Sequence, residues 1–253
     1  MLLSQSPQQF RSGTVWTVMT DINSALKVIS SSLLVLFFIY GIARSSVDIE
    51  QMKRPSFIIK SFLRLALCEG LSFYGMELMM SFIEIIHGIS TRIIASSRLF
   101  EATQLSVPET VCLAVSSLGT MESIPLWFVS LLGSLFIWVC SFVMILNVYG
   151  RFFRLYLYTS IAPLPIACFA SAETSFIGRS FILSYIGVLL EEVMITVGCI
   201  IFTSVATIVP QPDTGSSAVA MLWSYIGEIL FNMLMLTGTV KMSERVVKDM
   251  LGL

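Results

Sequence analysis

Histidine occurs once, at His87, and only 12% of the 253 residues are charged. One histidine excludes multi-histidine metal centres. The five cysteines, Cys68, Cys112, Cys140, Cys168 and Cys199, are scattered, odd in number and form no C-x-x-C pair. They read as small hydrophobes rather than as a disulfide framework or a metal site. No Gly-x-x-x-x-Gly-Lys-Ser/Thr loop is present, so the chain carries no ATP engine of that kind. Its net charge of −1 supplies no field to attract nucleic acid. The opening "MLLSQSPQQF" lacks a basic region and an A-x-A site, and is not expected to act as a cleaved signal.

What remains is apolar. At 56% hydrophobic residues and a mean hydropathy of +0.87, the chain holds far more apolar side chain than a soluble domain with about 25% charge could bury. The composition predicts an all-α, polytopic membrane bundle. Five spans are expected near residues 25–43, 57–86, 124–149, 181–209 and 218–240. An outer N-terminal tail covers 1–22, and the rest, 23–253, forms a single transmembrane domain. Residues 87–122 form an outer loop, with amphipathic helices expected near 92–104 and 108–121.

The stretch "RFFRLYLYTSIAPLPIACFASAE", 151–173, is long enough to cross a bilayer but holds Pro163 and Pro165. Neither proline has an N–H, and each disfavours helix in the residue before it. Cytoplasmic loops collect Lys and Arg. If this stretch does not cross, eleven basic residues lie inside and four outside; if it crosses, the split is seven against eight. The first arrangement is expected, with a re-entrant or interfacial element over 151–179 on the cytoplasmic face. Arg151 and Arg154 then read as anchors to anionic lipid, and aromatics such as Tyr156 and Tyr158 suit the headgroup level. The N-terminus falls outside and the C-terminus in the cytoplasm.

Polar seams run along three spans. In the second, Glu69, Glu77, Ser81 and Glu84 accompany Gly70, Tyr74 and Gly88; in the fourth stands Glu191; in the fifth, Glu228 and Asn232. An acidic side chain at mid-bilayer costs about 2.5–3.5 kcal/mol, so these faces should meet protein or water rather than lipid. With no Lys or Arg deep in the same spans, neutral carboxyls acting as helix–helix glue are expected. An ionised ring would repel a passing polyanion, so the seams do not suit a nucleic-acid conduit. Enzymatic readings have little support. No aspartate lies in a span, and "EEVMIT" (Glu191 to Thr196) has Thr196 where the E-E-x-x-x-R motif of CAAX-type membrane proteases needs arginine. His87 reads as the polar outer end of the second span. No catalytic site, metal or cofactor is expected.

Two passages carry a family resemblance. "SSLLVLFFIYGIA" in the first span and residues 151–195, beginning R-F-F-R-L-Y-L-Y-T-S-I-A-P-L-P, resemble the TrbL-like conjugal transfer proteins of type IV secretion systems. Arg151, Pro163 and Pro165 fall on that block's motif positions. The resemblance implies an inner-membrane core subunit, a non-enzymatic platform for DNA and protein transfer. It also implies assembly with copies of itself, with other secretion membrane subunits and with the system's ATPases. Contact with the transferred DNA is left open by the sequence. The alternative, from the seams alone, is a small proton- or cation-coupled transporter using Glu77, Glu191 and Glu228.

Overall fold

The computed structural model describes residues 14–45, 55–96, 109–116, 119–206 and 218–253. Seven α-helices occupy them: α1 (Thr14–Ser45), α2 (Pro55–Ser96), α3 (Glu109–Ser116), α4 (Thr120–Ile161), α5 (Pro163–Ala167), α6 (Ser175–Ala206) and α7 (Ala218–Leu251). A 3₁₀ turn, Cys168–Ala170, follows α5, and no strand occurs among the described residues. Five helices (α1, α2, α4, α6 and α7) are long and apolar enough to cross a membrane, as the sequence predicts. Without water in the bilayer, only a structure that pairs its own backbone groups can span it, and the apolar runs satisfy this as helices.

The helices outrun the hydropathy boundaries. The last nine residues of the expected tail, 14–22, belong to α1, and residues 87–96 of the expected outer loop continue α2. Within that loop α3 covers part of the second predicted helix; residues 97–108 lie outside the described residues, as do 1–13 and the "PQPDTG" turn. The largest difference is α4. It does not stop at residue 149 but continues through Arg151 to Ile161, 42 residues in all. At 1.5 Å per residue this is about 63 Å, twice a ~30 Å bilayer core. Hydropathy registers where charges begin. A helix ends where its hydrogen bonds fail, and Arg and Leu are good helix formers.

The chain divides into two compact units. The first contains the described parts of Met1–Ile89, Gly150–Glu192 and Val247–Leu253. Here α1 and α2 run antiparallel: Lys27 meets the Phe73 carbonyl, Ser31 meets Glu69, and Phe38 meets Phe62. Tyr185, Val188 and Leu189 of α6 pack with Met79 and Ile83 of α2 and with Leu155, Ala162 and Ile166. The Tyr185 hydroxyl donates to the Met79 carbonyl at 3.0 Å. The chain end closes with Gly252 at φ +68° and the Leu253 N–H donating to the Lys248 carbonyl at 3.0 Å. That is a Schellman cap, which needs a left-handed residue.

The second unit contains the described parts of Ser90–Tyr149 and Val193–Val246. Val111 of α3, Leu126 of α4 and Leu222 of α7 form its buried cluster. Its outward side chains, including Trp127, Trp138 and Phe142, are exposed and apolar.

Candidate functional site: a rescued proline break and two arginine–glutamate pairs

Pro163 removes the N–H that would serve the Thr159 carbonyl, four residues back. In its place the Asn23 Nδ2 of α1 donates to that carbonyl at 2.7 Å. Two helical turns further along α1, the Ser30 hydroxyl donates to the Pro163 carbonyl at 2.6 Å and lies 3.1 Å from Ser72 Oγ of α2. Asn23, Ser30, Thr159 and Pro163 are all buried. Ala162 keeps right-handed helical angles (φ −47°, ψ −40°), and the Ile166 N–H returns to the Ala162 carbonyl at 3.2 Å. The ladder is therefore interrupted and resumed rather than ended. Neighbouring polar side chains are how membrane helices tolerate proline.

The stretch on both sides of the break follows α1 in parallel. Trp16 meets Tyr156, Asn23 meets Thr159, Ser30 meets Pro163, Gly41 meets Ser171, and Arg44 pairs with Glu173 at 3.5 Å. From Trp16 to Arg44 is about 42 Å of helix. A Cβ on Gly41 would sit 2.8 Å from Ser171 Oγ, so any larger residue would force Ser171 to shift. Burial pushes the Cys168 thiol up from its ordinary pKa.

These contacts revise the reading of 151–179 as an element that begins at Arg151 and lies at the headgroup level. Its first eleven residues are α4, and Phe152, Tyr156, Ala162, Ile166 and Ala167 are buried in protein. Tyr156 packs edge-on to Trp16 and Tyr158 tilts against Phe181, so both aromatics face partners within the unit. Pro165 is half-buried beside Pro163.

About two and a half and three turns before Pro163, Arg154 and Arg151 face α6. Arg151 Nη1 donates to Glu192 Oε2 at 2.6 Å, and the two side chains are 4% and 6% exposed. The other oxygen, Glu192 Oε1, is 3.1 Å from His87 Nδ1 of α2. Arg154 Nη2 reaches both oxygens of Glu191 at 3.0 Å. Three helices meet in this cluster. It corrects three expectations. Glu191 is paired with an arginine rather than left without a basic partner. Arg151 is buried in protein rather than anchored to lipid. His87 and Arg151, expected at opposite ends of the spans, join the same carboxylate. The physical reason is mutual neutralisation: a buried charge is tolerated when a partner and hydrogen bonds compensate it.

Sequence reasoning missed Asn23, Ser30 and Glu192. Signals for them existed: Asn23 and Ser30 are seven apart on one face of an apolar helix, and two adjacent glutamates match two arginines three apart. The remaining predicted residues are dispersed. Glu69, Glu77, Ser81 and Glu84 are exposed on α2, with Glu69 accepting from Ser31 at 2.9 Å. In the second unit, Glu228 and Asn232 are half-buried on α7. Among the described residues no group of three His, Cys, Asp or Glu side chains could hold a metal ion.

Five apolar helices, a proline break served by its neighbours and paired intramembrane charges define a multi-pass helical membrane protein. Within that class, a family model described as TrbL/VirB6 plasmid conjugal transfer like protein matches residues 2–163, and the chain belongs to this family. It is a membrane subunit of the conjugal-transfer and type IV secretion kind. The match takes in α1 to α4 and stops at Pro163, so the passage 151–195 is covered only in its first part. No curated protein and no solved structure matches the chain.

Proposed function

We propose that this chain is an inner-membrane core subunit of a conjugative type IV secretion system, acting as an assembly platform without catalytic chemistry of its own. Its partners would be further copies of itself, other secretion membrane subunits and the ATPases that drive transfer. One observation carries the reading beyond family membership. Along α2, Glu77 and Glu84 are exposed, and a Cβ added at Gly70 or Gly88 would meet nothing within 4 Å. A carboxyl turned to lipid costs about 2.5–3.5 kcal/mol, whereas small residues let another helix approach closely. This face suits a neighbouring subunit. The transporter reading requires free acids at Glu77, Glu191 and Glu228, and Arg154 already engages Glu191 at 3.0 Å.

An outside N-terminus and a cytoplasmic C-terminus fit an odd number of spans. The test is Glu77→Gln against Glu77→Leu in a conjugation assay with purification of the assembled complex. Gln should leave assembly and transfer nearly intact, and Leu should impair both. Loss of transfer in the Gln variant with normal assembly would favour an ionisable pathway and remove the platform reading.

A further inference from the structure

The junction of α2, α4 and α6 holds one cationic donor that its ion pairs do not use. Arg151 is 4% exposed and its Nη1 is bound to Glu192, yet its Nε has no hydrogen-bond partner. The same two side chains, with Phe152, Leu155, Val188 and Leu189, line a cavity of about 10 Å³. All six residues belong to the first compact unit. A buried N–H left unmade is strongly unfavourable, more so on a charged group. A space of roughly 10–15 Å³ is the least that holds one water molecule.

We propose that this cavity is a binding site for a single water molecule, which accepts from Arg151 Nε and donates to the Glu192 carboxylate. Size and charge select the ligand. A halide or oxyanion is too large for the space and is repelled by Glu192. A cation is repelled by Arg151. An apolar occupant would leave Nε unpaired. Water alone offers an acceptor to one wall and a donor to the other. The other four lining residues are apolar, which limits the site to one molecule rather than a conducting file. The arginine–glutamate pair is then a hydrated triad, with His87 on the opposite carboxylate oxygen.

The test uses the full chain in lipid nanodiscs. A map that resolves ordered water should show a peak about 2.7–3.2 Å from Arg151 Nε; an empty cavity in such a map overturns the proposal. Val188→Ile, which adds one methylene to the lining, reads the same site in solution. Displacement of the water should lower Tm by about 2–4 °C. The substitution should lose this penalty when Arg151→Met and Glu192→Leu have removed both polar walls. An equal loss in the two backgrounds is simple overpacking, and a rise in Tm is the filling of a dry void. Either result overturns the proposal.

Discussion

Replacing Asn23 with leucine isolates what the proline break demands of α1. The Asn23 side chain is 2% exposed and supplies the Thr159 carbonyl with a 2.7 Å hydrogen bond in place of the missing Pro163 N–H. Leucine preserves size but leaves that carbonyl, on a fully buried residue, without this donor. An unsatisfied buried acceptor costs about 1–3 kcal/mol. Interhelical hydrogen bonds measured within membranes average nearer ~0.6 kcal/mol, with a maximum of ~1.7. A loss of about 1–2 kcal/mol is expected, or roughly 2–8 °C in Tm at 2–4 °C per kcal/mol for a chain of this size class. Thermal unfolding of the purified protein in nanodiscs measures it. The decisive comparison is the Pro163→Ala background, which restores a backbone N–H four residues after Thr159. There the carbonyl regains its helical donor, and Asn23→Leu should cost less than half as much. If the penalty is the same in both backgrounds, Asn23 stabilises by packing alone and the rescue argument is refuted.

Three further outcomes follow from the same contacts. Glu192→Leu strands the buried Arg151 and should destabilise by about 3–5 kcal/mol, while the paired change Arg151→Met with Glu192→Leu should recover most of it; denaturation of both variants checks this. Gly41→Val places a branched side chain whose Cβ would fall 2.8 Å from Ser171 Oγ, so α1 and the segment after the break should separate, read as new trypsin cleavage after Arg179. Cys168 is buried and its thiol is pushed up by that burial, whereas Cys112 is exposed. Because the thiolate is the reactive species, maleimide at neutral pH should modify Cys112 promptly and leave Cys168 intact, and mass spectrometry of the labelled peptides would show a reversal.

The five long helices were legible because their apolar runs are the main signal a membrane helix emits, and hydropathy registers it directly. Their ends were not. Residues 151–161 read as the start of a re-entrant or interfacial element, because the prolines and the Lys/Arg count placed Arg151 and Arg154 on the cytoplasmic face, but the partners of these arginines, Glu192 and Glu191, stand about forty positions away. A local window cannot pair charges across that distance. The prolines were legible as a break and misleading as a stop, for their cost depends on donors from α1, whose two polar residues look incidental in the sequence. The shared face of Glu77 and Glu84 follows from their 3.6-residue spacing alone, a property local to one helix.

The dependence of the proline break on Asn23 and Ser30 bears on how the protein is made. Both donors belong to α1, and the carbonyls they serve, on Thr159 and Pro163, follow more than 130 residues later in the chain. At an elongation rate of about 5–20 residues per second this interval is several seconds or more. During it α1 can insert and settle before the interrupted segment leaves the translocon. The early helix thus supplies the later one, through Asn23, with a donor that Pro163 lacks. Chain order is part of the design: a circular permutant that synthesises 151–179 ahead of α1 would leave the Thr159 carbonyl unpaired before its donor exists.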